Sequence, residues 1–219
     1  MPKEKPIPLT TQEVQDILAG RKTMKRLAIK PQPDHCHRDI AGKENPYNAD
    51  DWNRLLPQIG EKEIKCPWQV GDILWVRETW KYYEKAVGKG ESFRVKQFPA
   101  YKADGDNNYI QKSCEWYEGK WKPSIHMPRS AARLFLKVKS IRVERLQDIT
   151  AEDTQTEGIK LNCKHDDYVC SAHPCDFKTT IACKDYFKNL WNSINSKRGY
   201  GWDINPWVWV IEFERVQHG

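Results

Sequence analysis

The densest concentration of chemistry in this chain is cationic. Arg21, Lys22, Lys25 and Arg26 follow Gly20 in one short segment. Side chains of this kind contact phosphates, and affinity would then fall steeply with salt. Lys22 stands among like charges. If it is also partly desolvated, both effects favour a neutral amine able to act as nucleophile or base. The plainer reading is a solvated cationic patch. Two more groups have the right types to line a ligand cleft. Ser124, His126 and Arg129 lie in a Pro-bounded loop, where Arg can bind phosphate and His can stack on or bond a base. Trp75, Trp80 and Trp207 can serve as stacking platforms, although most of the ten Trp residues are expected in the core.

A second concentration is rich in sulfur. Of the seven cysteines, Cys163, Cys170, Cys175 and Cys183 fall in one stretch together with His165 and His173. Four thiolates, or a mixed Cys/His set, can close a tetrahedral zinc site and order a loop that has little else to hold it. No CxxC pair is present, only Cys170-x-x-His173 and Cys163-x-His165, so free thiols or a disulfide remain open beside structural zinc. His35-Cys36-His37 is too compact for a complete site.

These residues need elements to hold them. Thr10 and Glu13 form a capping-box pattern ahead of Val14, Ile17 and Leu18, and Gly20 stands where a helix end favours a left-handed residue. The cationic segment leads into Leu27-Ala28-Ile29, read as extended chain that stops at Pro31 and Pro33. Ile73 to Trp80 is rich in β-branched and aromatic residues and reads as one buried strand. Residues 84–122 suggest hairpin strands around turn clusters. Leu134, Leu136 and Val138, then Ile141 and Val143, read as an alternating strand with a change of register near Ser140, which a bulge would explain. Thr150 and Asp153 cap a helix that runs to about Glu157 and ends at Gly158. The Cys/His loop follows, placed to act as a lid. A helix with an apolar face over Ile181–Ile194 comes next, and Trp207 to Val216 is a final strand.

Three blocks carry a family resemblance. Ile17-Leu18-Ala19-Gly20-Arg21-Lys22-Thr23, Gly71-Asp72-Ile73-Leu74-Trp75-Val76-Arg77-Glu78 and Trp207-Val208-Trp209-Val210-Ile211-Glu212-Phe213 together resemble the ASCH domain family of the PUA-like superfamily. Pro123–Arg129, Arg142–Ile149 and Leu190–Asn195 resemble its phage and prophage branch. The resemblance implies a small β-barrel with a cleft for a nucleobase, a nucleoside or an RNA segment. One branch of the family is similar around Gly20–Thr23 and hydrolyses the acetyl amide of 4-acetylcytidine with a Lys, a Thr and a Glu. By motif position the Lys falls on Lys22 and the Glu on Glu157. The Thr position falls on Lys25, a departure, and Leu27 stands where phage relatives show an Arg. Glu157 can accept a proton or orient water for amide hydrolysis; it can equally be the ordinary ion-pair partner of Lys22.

Composition bounds the rest. The chain has 219 residues, 39% hydrophobic and 30% charged, and its aromatic content excludes a disordered chain. The net charge of +6, from 36 Lys and Arg against 30 Asp and Glu, fits a polyanionic partner without demanding one. No apolar run of about 18 residues is present to span a bilayer. Met1–Pro8 lacks the apolar stretch of a secretory signal, so a cytoplasmic location is expected, in a host cell if the protein is phage-encoded. No GxGxxG, P-loop, HExxH or GxSxG occurs. The expectation is an α+β protein, a PUA-like small mixed barrel with flanking helices, in one domain with insertions at about 34–66, 84–122 and 159–180. Its partner would be RNA, DNA or a modified nucleoside, and a catalytic centre, a non-catalytic binding module and a phage assembly accessory all remain open.

Overall fold

The computed structural model describes residues 3–33, 35–36, 57–59, 62–88, 93–105, 119–159 and 177–217. Its strands are β1 (Glu4–Pro8), β2 (Met24–Ala28), β3 (His35–Cys36), β4 (Pro57–Ile59), β5 (Lys62–Glu63), β6 (Ile73–Arg77), β7 (Trp80–Val87), β8 (Arg94–Tyr101), β9 (Phe135–Arg145) and β10 (Trp207–Val216). The helices are α1 (Thr11–Leu18), α2 (Ala151–Thr156) and α3 (Phe177–Asn195). The architecture is mixed α+β, and the strand pairings among the described residues do not close a barrel. No described helix is long and apolar enough to cross a membrane.

The chain divides into two compact units, and β9 begins in one and ends in the other. The first comprises Met1–Gly20, Gly71–Lys137 and Arg215–Gly219. Here β1 runs parallel to β6, with Ile7 opposite Val76, and β6 pairs antiparallel with the start of β9. Helix α1 forms because Thr10 Oγ1 accepts from the Glu13 amide while Glu13 returns a bond to the Thr10 amide, and its buried Val14 and Ile17 then pay the ordering entropy. Gly20 follows at φ +72°, a left-handed conformation that suits glycine at a helix end.

Ile73–Trp80 is not one strand. β6 stops at Arg77, and Trp80 opens the β7–β8 hairpin, whose eight residue pairs run from Trp80–Tyr101 to Val87–Arg94. The corner between them is set by Glu78. Its buried carboxylate needs both nitrogens of the Arg133 fork, at 2.9 and 3.0 Å, and its amide donates to the Met127 sulfur, so it cannot continue a ladder. Composition does not register such a corner because Trp80 resumes the aromatic and apolar run just beyond Arg77-Glu78-Thr79.

The second unit comprises Arg21–Val70 and Val138–Glu214. β10 is antiparallel to β2, with Glu212 opposite Met24 and Val208 opposite Ala28. Val208 and Val210 pack with Met24, Leu146, Ile149, Phe187 and Trp191 in a core between sheet and α3. β9 extends over Phe135–Arg145, through the position of the expected change of register at Ser140. The even-numbered face that carries Leu134, Leu136 and Val138 continues as Ser140, Arg142 and Glu144. What changes is the chemistry of that face, from apolar to charged.

Candidate buried Lys–Glu centre

Side chains on alternate positions of an extended chain share a face. Lys22, Met24 and Arg26 follow that rule at the start of β2, and all three are buried, whereas Lys25 between them lies on the opposite face, half-buried. Helix α2 supplies the other half. Thr150 Oγ1 accepts from the Asp153 amide and starts the helix; Glu157 is its C-cap, and Gly158 turns the chain away at φ +89°. Backbone bonds fasten the two pieces together. Lys22 and Glu157 form an antiparallel bridge, the Thr23 amide donates to Thr156 O at 2.9 Å, and the Thr23 carbonyl accepts from the Phe213 amide of β10 at 2.9 Å.

This frame brings Lys22 Nζ to 2.6 Å from Glu157 Oε2 and 2.9 Å from the Glu157 carbonyl oxygen, with both side chains over nine-tenths buried. Glu157 Oε1 has a different partner, Arg26 Nη1 at 3.3 Å. Arg26 is fully enclosed. Its Nη2 donates to Asp153 Oδ2 at 2.5 Å and to Glu144 Oε2 at 3.2 Å, and its Nη1 also meets the Met24 sulfur at 3.2 Å. Among the described residues its Nε has no acceptor. Arg142 extends the network to Glu144 at 2.5 Å, Asp153 at 3.3 Å and Glu212. Burial works against the Arg142 charge, but the hydrogen bond to Glu144 and the charges of Glu144, Asp153 and Glu212 outweigh it and hold the guanidinium above its ordinary pKa.

Three cations, Lys22, Arg26 and Arg142, are thus joined to four carboxylates, Glu144, Asp153, Glu157 and Glu212. Two of the four cations of the Arg21–Arg26 stretch, Lys22 and Arg26, are neutralised in space. Lys22 meets at its ammonium end the carboxylate of Glu157, the ion pair that the sequence left open beside a solvated cationic patch. Arg142, Glu144, Asp153 and Glu212 were not singled out as site residues. The available signal was the replacement of apolar by charged residues on the even face of β9.

The other expected ligand residues do not join this cluster. Arg21 is half-buried at the bend before β2. In the first unit, Ser124 and His126 form a short 3-10 turn, with His126 exposed. Arg129 grips Glu4 with two nitrogens, at 2.7 and 3.1 Å, and covers the Phe135 ring. Its bonds to Glu4 raise its pKa. Trp75 is a buried residue of β6 with the Arg77 guanidinium over its ring at 4.7 Å. Of the zinc candidates, Cys163, Cys170 and Cys175 lie outside the described residues, as does the proposed lid, while Cys183 is buried on α3. Among the described residues no group of three or more His, Cys, Asp or Glu side chains is arranged to hold a metal ion.

Comparison with family models, curated proteins and solved structures finds no match to this chain.

Proposed function

We propose that the protein is an ASCH-type member of the PUA-like superfamily, of phage or prophage kind and acting in the cytoplasm, whose Lys22–Glu157 pair hydrolyses the acyl amide of an acylated cytidine such as 4-acetylcytidine. The observation that carries this reading is the 2.6 Å contact between Lys22 Nζ and Glu157 Oε2 in a buried setting. Amide hydrolysis needs a group that activates water and a group that returns the proton to the leaving nitrogen. Lys22 as base or nucleophile and Glu157 as proton carrier supply the two, and a hydrogen bond of this length lets a proton pass between them. The water adds to the acetyl carbon, the C–N bond breaks, and the N4 amine leaves with the proton, giving cytidine and acetate.

The distribution of partners supports the same assignment. Arg26 takes Glu157 Oε1, which leaves Oε2 facing Lys22. The orphan Arg26 Nε would be satisfied by a carbonyl acceptor of the ligand. Because the carboxylates outnumber the cations, the centre suits a neutral acylated base better than a phosphate. The position of the family threonine is taken by Lys25 on the far face of β2, so threonine's part in the chemistry must pass to another group. Thr156, whose hydroxyl donates to Asp153 O at 2.9 Å and lies 3.8 Å from the Met24 sulfur, is one hydroxyl beside the network.

Chromatography of 4-acetylcytidine incubated with the protein tests the reading. Release of cytidine that Lys22→Ala abolishes is the expected result; no turnover at high protein concentration would overturn it.

A further inference from the structure

The β7–β8 hairpin carries an arrangement that folding alone does not favour. On one face the cross-strand pairs are Tyr83–Phe98, Lys85–Lys96 and Val87–Arg94. Lys85 and Lys96 are directly opposite one another, and like charges in that position destabilise a ladder. Arg94 adds a third cation one pair further out. All three are exposed, and among the described residues none is ion-paired with a carboxylate. Among the described residues of the hairpin the one acid, Glu84, belongs to the other face, where it accepts from Gln97 Nε2 at 3.1 Å.

Beside these cations lies an aromatic pair. The Tyr83 and Phe98 rings sit 5.8 Å apart, tilted by 30°, and both are half-exposed. Positive charge that meets no carboxylate among the described residues, next to half-exposed aromatic rings, has one chemistry that satisfies both parts. A phosphodiester strand neutralises the cations, and its unstacked bases lie on the rings. A duplex would offer the phosphates without the base faces. An acidic peptide would offer charge without stacking.

We propose that this face of the β7–β8 hairpin, through Lys85, Arg94, Lys96, Tyr83 and Phe98, binds a single-stranded nucleic acid. The site is separate in residues from the Lys22–Glu157 centre, so its success or failure is independent of the amidohydrolase reading.

Fluorescence anisotropy with a labelled twelve-nucleotide oligo(U), titrated at several salt concentrations, tests the proposal, with a duplex of equal length and heparin as competitors. Oligo(U) should bind better than either competitor. Lys85→Gln with Lys96→Gln should weaken binding and reduce the slope of log K against log salt by about 1.4, at roughly 0.7 per phosphate contact. Phe98→Ala should weaken binding with the slope unchanged, and Phe98→Trp should restore it. Lys96→Glu should raise the thermal midpoint while lowering affinity, since it turns a repulsive pair into an attractive one. Equal binding of heparin and oligo(U), an unchanged slope in the double variant, or affinity indifferent to residue 98 would each overturn the proposal.

Discussion

Lys22 and Glu157 hold each other in a place where neither could stay alone. Removing one partner of a buried ion pair leaves an uncompensated charge and costs on the order of 3–5 kcal/mol, whereas replacing both by apolar groups of similar volume is often neutral. This difference separates structure from chemistry. Glu157→Gln should lower stability in urea unfolding and also abolish release of cytidine. Lys22→Met combined with Glu157→Leu should recover most of the stability and none of the turnover. Were the double variant to regain activity, the pair would be a structural tie alone. Arg26 matters at the same scale, because its fork touches Asp153, Glu144 and Glu157 at once and so fixes which carboxylate oxygen Lys22 meets.

At the scale of elements, the centre depends on a helix of only six residues. α2 is too short to persist through its own backbone bonds. Its start is held by the Thr150 cap and its end by the Thr23–Thr156 and Lys22–Glu157 backbone contacts. Thr150→Ala removes a side-chain cap and should cost about 1 kcal/mol in urea unfolding. Turnover should fall as well, since Asp153 and Glu157 both ride on this helix; Thr150→Ser should retain both properties. The caps of α1 and α2 were legible in the sequence because a capping side chain and its target amide are three residues apart. The corner at Glu78 was not, because it is decided by distant groups, Arg133 and Met127.

At the scale of the whole molecule, proton linkage reports on a second buried cluster. Tyr101 donates its hydroxyl to Ala131 O at 2.7 Å and lies beneath the Arg133 guanidinium, 3.9 Å from its ring. Burial pushes the Tyr101 phenol up to about 12; Arg133 opposes the shift, and Glu78 and Asp104 add to it. The folded chain therefore keeps this proton where the unfolded chain, near 10, has lost it. The stability this contributes is fully present below pH 10 and is lost as pH rises from about 10 to 12. Urea midpoints measured across that interval should fall, and Tyr101→Phe should flatten the fall; an equal decline in both proteins would count against the assignment. Glu78, whose pKa is raised chiefly by burial, gives a contribution of the same sign, lost as pH climbs above the ordinary carboxylate value.

The α+β class, the caps of α1 and α2 and the closing strand followed from local spacing, since each depends on residues within a turn or on strand alternation. The alternation rule alone also separates Lys22 from Lys25. Only tertiary structure decided what surrounds Lys22. Arg142 and Glu144 on β9, Asp153 and Glu157 on α2, and Glu212 on β10 come from segments far apart in the chain, and a charge count along the sequence cannot see them meet. Lys22 and Arg26 of the cationic segment enter a compensated network because burying these groups is tolerable only with carboxylates brought to them. The hairpin shows the opposite case: the strand register sets Lys85 against Lys96, and no acid among the described residues is paired with them.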